Sequence, residues 1–203
     1  MAPWAAMSRR AFVLSLAAMA LVAALVIGLR QSTESTAPDP LATSQLDPAE
    51  VREALAGAPA PLAALHAQAN ELLPGGERAF EARLRELRGF PVVVNVWAAW
   101  CGPCREELPV FQEVSLARGK EVAFLGVDLR DNAAAARRLL ARIPQTWPSY
   151  EDPEGKIFDG YKVAGVPSTI FYDETGEQTF VHQGPYLERE DLEADIAEHA
   201  IGR

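Results

Sequence analysis

The stretch that most limits what this chain can become is Val92-Val93-Val94-Asn95-Val96-Trp97-Ala98-Ala99-Trp100-Cys101-Gly102-Pro103-Cys104. It opens as a run of β-branched apolar residues, the pattern of a strand buried on both faces. It breaks at Cys101-Gly102-Pro103-Cys104 and continues as a helical pattern through Arg105-Glu106-Glu107-Leu108-Pro109. Strand, short break and helix put both sulfurs at the first turn of a helix. Free N–H groups and the positive end of the helix dipole stabilise a thiolate there. Pro103 falls early in that helix, where its missing N–H costs little, and with Gly102 it fixes the loop that presents Cys101. A dithiol so placed can close to a disulfide and reopen.

Composition narrows the chemistry further. Cys101 and Cys104 are the only two cysteines among 203 residues, so the fold cannot rest on a disulfide framework. A structural zinc site would need two more ligands, and the only histidines, His66, His182 and His199, are widely scattered. A net charge of −9 argues against nucleic-acid binding, which requires a basic face. With 49% apolar residues the chain can build a proper core.

Trp100-Cys101-Gly102-Pro103-Cys104, preceded by the Val-rich strand and Trp97, resembles the active site of the thioredoxin superfamily. The longer run through Arg105-Glu106-Glu107-Leu108-Pro109 is similar to its membrane-tethered branch, the TlpA/ResA-like thiol–disulfide oxidoreductases. The likeness covers residues 88–203. It implies an α/β, thioredoxin-like fold, a central mixed β-sheet flanked by helices. It also implies no cofactor and no metal beyond a redox-active Cys101–Cys104 disulfide. Val166-Pro167 matches the superfamily's cis-proline loop, which would lie against Cys101 and offer its backbone to an extended substrate peptide.

Upstream of the domain the chain reads as an anchor and a tether. Residues 1–10 form a short tail ending in Arg9-Arg10, and residues 11–29 carry no charge. As a helix that span is roughly 28 Å long, close to the hydrocarbon thickness. The leading arginines place the N-terminus inside and the catalytic part outside the cytoplasm. A cleaved signal peptide is the competing reading, disfavoured by the length of the apolar run and the lack of a suitable cleavage site after it. Residues 30–61, rich in Ser, Thr, Pro and Ala, read as a flexible linker, interrupted by one candidate helix at Pro48–Leu55 with Asp47 as its cap. The domain then spans 62–203. Its lead-in, 62–88, reads as two helices, Leu62–Leu73 and Glu77–Arg88, where relatives enter through a β-hairpin.

Further on, residues 121–129 read as a second core strand, Asp131 as the cap of a helix at 132–142, and 144–156 as an irregular insert. Trp147 and Tyr150 in that insert are candidates either for a substrate groove or for the core. A helix at 158–163, a strand at 170–172, a turn at 173–176, a strand at 177–182 and an amphipathic helix at 188–201 complete the pattern. The predicted helix buries Leu192, Ile196 and Ala200, while His182 and His199 belong to no catalytic constellation.

Within the site, Cys101 is assigned as the nucleophile and Cys104, one turn inside, as the resolving thiol. Asn95 occupies the position where cytosolic thioredoxins carry a proton-handling Asp, and an amide cannot take a proton. Their partner Lys is replaced by Phe124. Glu107, three residues after Cys104 on the same helical face and at the position of a glutamate in ResA-like proteins, is the candidate proton carrier. The bland alternative is a solvated acid near a helix N-terminus, a part assigned also to Glu106. Trp100, Gly102, Pro103, Val166 and Pro167 are the supporting and substrate-binding residues.

The resemblance implies a reductase of protein disulfides. Its donor would be an integral membrane electron donor of the CcdA type, and its acceptor apocytochrome c. A net oxidant or isomerase of secreted proteins, a thiol peroxidase and a non-catalytic adaptor that keeps the fold for binding are the rivals.

Overall fold

The structure, a computed structural model, describes residues 46–161 and 163–202. The expected tail, the anchor at 11–29 and the first part of the linker lie outside the described residues. Among the described residues no helix is long and apolar enough to cross a membrane.

The architecture is a six-stranded mixed sheet with helices on both faces, in the order β1-β4-β3-β2-β5-β6. At its centre is β2 (Val92–Trp97), whose residues are all buried, as the unbroken β-branched run requires. Strand β3 (Ala123–Leu129) pairs parallel to β2, and β4 (Ser149–Asp152) parallel to β3. On the other side, β5 (Ser168–Tyr172) runs antiparallel to β2, and β6 (Gln178–Gln183) antiparallel to β5. The turn between them is held by Asp173, whose Oδ1 accepts from the N–H groups of Thr175 and Glu177.

Side-chain alternation along β2 divides the core in two. Val93 and Trp97 face a cluster built with α4 (Gly102–Arg118), α5 (Ala133–Arg142) and α7 (Arg189–Asp195). Val92, Val94 and Val96 face a second cluster with α2 (Ala60–His66), α3 (Gly76–Glu86) and α6 (Lys156–Asp159). Phe80 and Leu87 are buried there, as their helical spacing predicts. Leu192, Ile196 and Ala200 are buried too, although the final helix is not uniform: α7 passes into a π-helical turn at Ile196–Ala200.

The helix expected at Pro48–Leu55 forms as α1, with Asp47 as its cap, and α2 begins at Ala60. Four expectations need correction. The lead-in is not wholly helical, because α2 ends at His66 and Leu72–Leu73 form β1, paired parallel to β4. Asn70 makes the switch. Its backbone is left-handed (φ 64°), its N–H donates to Trp147 O, and its side chain accepts from Gln145 N. The supposed insert at 144–156 contains β4, an inner strand, and Trp147 and Tyr150 are core residues, 1% and 3% exposed. They therefore do not line a groove. The α5 cap is Asn132, whose Oδ1 accepts from Ala134 N and Ala135 N, while Asp131 turns elsewhere. Finally, the short helix before β5 covers Lys156–Asp159 rather than 158–163.

Gly126 shows how tightly β3 and β4 are set. Its N–H donates to Pro148 O, and a Cβ at this position would collide with Ser149 Oγ and come within 2.9 Å of Trp97 Nε1. Ser149 Oγ itself accepts from Trp97 Nε1 at 3.1 Å. Gly126→Ala is expected to lower stability by about 1–3 kcal/mol, read as a lower urea midpoint with an unchanged slope.

Candidate active site

The central strand delivers the site. After Trp97 the chain turns, with Cys101 N–H donating to Ala98 O at 3.1 Å, and α4 starts at Gly102. Cys101 is the cap of α4: its backbone is extended, and its sulfur accepts the N–H of Cys104 at 3.1 Å. Cys101 and Cys104 are joined as a disulfide, with Cα atoms 5.3 Å apart. Cys101 retains a little exposure, 4%, whereas Cys104 has none. Pro103 is exposed and Gly102 half-buried in the first turn, and α4 continues through Pro109. Trp100, immediately before the disulfide, is 60% exposed, unusual for so large an apolar side chain.

The Val166–Pro167 peptide bond is cis. Because Val96 pairs with Ser168 in the antiparallel β2–β5 ladder, the two residues before Ser168 lie at the sheet end where β2 enters the Cys101 loop. Pro167 O accepts from Gly184 N at 3.0 Å, which brings the segment after β6 to the same end.

Beneath the disulfide lies Glu107, one turn beyond Cys104 on α4 and fully buried. The reading of it as a solvated acid therefore does not hold; Glu106, by contrast, is exposed. One carboxyl oxygen of Glu107 accepts from Asn95 Nδ2 at 2.7 Å and the other from Tyr186 N at 3.2 Å. Burial pushes its pKa up to about 8, and those two hydrogen bonds only partly offset the shift. Asn95 thus acts as the donor that fixes the carboxyl group. Phe124 is a core residue against Trp147, leaving no cation in the place of the thioredoxin lysine.

His182 and His199 are half-buried and stacked on aromatic rings, His182 on Tyr186 and His199 on Phe180, with ring centres 4.1 and 4.0 Å apart. Among the described residues no group of three or more His, Cys, Asp and Glu side chains could hold a metal ion.

Sequence reasoning missed the part of three residues. Tyr186 reaches Glu107 through its backbone N–H, an interaction no residue identity announces. Asp128 and Asp131, at and just beyond the end of β3, stand beside the redox loop, and Asp131 Oδ2 accepts the N–H of Ala99.

A disulfide at the start of the helix that follows the central strand, with a cis-proline at the same sheet end, defines a thioredoxin-fold dithiol site. Comparison with known proteins agrees. ResA, a thiol–disulfide oxidoreductase of Geobacillus kaustophilus, is 28% identical over 117 residues, 57% of this chain and 67% of that protein. The thiol:disulfide interchange protein DsbE of Pseudomonas fluorescens is 34% identical over 132 residues, 64% of this chain and 68% of its own length. A solved DsbE structure from Chlorobium tepidum superposes with a TM-score of 0.52 at 29% identity, over 56% of this chain and 82% of that one. The AhpC/TSA family profile matches residues 57–180. The chain belongs to the AhpC/TSA family, and within it is a thiol–disulfide oxidoreductase of the ResA/DsbE type.

The raised pKa of Glu107 has a signed consequence. A carboxyl group whose pKa rises from 4.5 in the unfolded chain to about 8 in the folded one favours folding below pH 4.5, and that contribution is lost as pH climbs to about 8. Urea titrations of the oxidised protein are expected to show stability declining across this window. In Glu107→Gln the decline should be shallower, the remainder coming from Asp128, whose pKa burial also lifts to about 8.

Proposed function

We propose that this protein reduces protein disulfides outside the cytoplasm, held to the cell membrane by a single helix at residues 11–29. The Cys101 thiolate attacks one sulfur of the client disulfide and expels the other as a thiolate, which takes up a proton. Cys104, deprotonated, then attacks Cys101 and releases the client's second sulfur. The client leaves as a dithiol and the protein as the Cys101–Cys104 disulfide, two electrons having passed between them. No cofactor takes part.

The observation that carries this reading is the buried carboxyl of Glu107, one helical turn inside the disulfide. With its pKa lifted to about 8 in the disulfide form, its ionised fraction accepts the Cys104 proton as the disulfide closes, and the resulting acid returns it when the disulfide reopens. The ionised carboxylate beside the pair also disfavours the thiolate form. Destabilising the reduced thiolate makes a dithiol a stronger reductant, the reverse of strongly oxidising members of the fold. Trp100, Val166 and Pro167 surround Cys101 as the client surface, with the Val166 backbone open to an extended peptide.

Outside the cytoplasm electrons must come through the membrane, so the protein's own reductant is an integral membrane donor of the CcdA type. The resemblance to TlpA/ResA-like proteins implies apocytochrome c as the client. Cys104→Ser should trap a client on Cys101 as a mixed disulfide, identifiable by mass spectrometry, and Cys101→Ser should trap none. Equilibration with glutathione should give a potential well below the value of about −120 mV that marks an oxidant. Failure of the wild-type protein to reduce insulin in the presence of dithiothreitol would favour the adaptor reading instead. Glu107→Gln should slow insulin reduction and flatten its pH dependence between about pH 6 and 9.

A further inference from the structure

We propose that Asp131 is a positioning residue for the redox loop and that Asp128 stores the proton that lets it hold. Ala99, two residues before Cys101, is gripped at both ends of its backbone. Its N–H donates to Asp131 Oδ2, and its C=O accepts from Arg105 Nη1 at 2.9 Å. The turn that presents the nucleophile is thereby pinned from α4 on one side and from the β3–α5 connection on the other.

Asp131 is an acceptor on every side. Its Oδ1 takes the N–H of Asn132 at 2.6 Å, its Oδ2 takes that of Ala99, and its carboxylate also hydrogen-bonds the side chain of Asp128. Two carboxyl groups can share a hydrogen bond only if one is protonated. Asp128 is that one. It lies opposite Trp97 in the β2–β3 ladder, is 3% exposed, and its Oδ1 has no partner. A neutral acid therefore donates to an ionised one, and the ionised one holds the loop.

The surroundings reinforce the assignment. A pocket of about 280 Å³ lined by Asp128, Asp131, Asn132 and Glu151 adjoins the pair. The charged groups facing it are Glu151 and Asp152 from β4 and Arg137 from α5. The guanidinium of Arg137 is engaged by Glu151 at 2.9 Å and offsets the neighbouring carboxylates only in part. Burial, with Asp131 beside it, lifts the Asp128 pKa to about 8. Above that pH two carboxylates are in contact and the grip on Ala99 weakens. The redox loop is then firm at neutral pH and loosened by alkali, by a route separate from Glu107.

This inference rests on the dithiol reading for its purpose but not for its test. In the oxidised full-length protein, solubilised in detergent micelles, no thiol titrates. The Ala99 amide signal is expected to show an inflection near pH 8 in the wild type. The same inflection should persist in Glu107→Gln and vanish in Asp128→Asn, whose amide donates to Asp131 at every pH. Asp131→Ala should slow insulin reduction by about tenfold, and Asp131→Asn, which keeps an acceptor for the Ala99 N–H, should stay within about twofold of wild type. A flat Ala99 titration in the wild type, an unchanged inflection in Asp128→Asn, or full activity of Asp131→Ala would overturn the proposal. If Asp131→Ala does not fold, the Ala99 titrations of wild type and Asp128→Asn decide alone. If the wild type does not reduce insulin, the functional reading fails while the amide titration still judges the clamp.

Discussion

Two-sided burial of β2 is the constraint on which the remaining architecture depends. A strand whose residues are all covered must have helices on both faces and neighbours on both edges. Its only outlet is its C-terminal end, where Trp97 hands the chain to the Cys101 loop. The redox pair is thus attached to the central, fully buried strand of the sheet. The one polar side chain on that strand, Asn95, is the one that fixes Glu107.

The electrostatics of the site follow from this burial. Glu107 lies on the buried face of α4, and Asp128 lies opposite Trp97 at the end of the neighbouring strand. Both are lifted to about pH 8, chiefly by desolvation. A site flanked by two neutral acids can exchange protons near physiological pH without a lysine or histidine. That suits a chain that has Phe124 where thioredoxins keep a cation.

Much of this was legible in the residues. The β-branched run, the Cys-Gly-Pro-Cys break and the Val166-Pro167 dipeptide each carry a local signature, and each lies where those signatures place it. Strand β4 was not legible, because Ser149-Tyr150-Glu151-Asp152 lacks an apolar alternation. Its polar residues are accommodated singly, Ser149 by Trp97 Nε1 and Asp152 by the N–H of Phe158. Strand β1 was hidden for a similar reason: two leucines satisfy a helical period as readily as a strand. The cap of α5 was misplaced by one residue because Asp and Asn are comparable caps, and only the tertiary demand of Ala99 draws Asp131 away.

The shortness of β1 matters beyond topology. A sheet margin is a template on which any extended polypeptide can build, and the margin beyond β1 is two residues long. The opposite margin, β6, turns polar Gln178, Thr179 and Gln183 outward. Unfolded or partly folded chains passing this molecule thus find little purchase along its flanks. Under the proposed function, backbone contact is left to the cis-proline corner, where such an encounter ends beside sulfur.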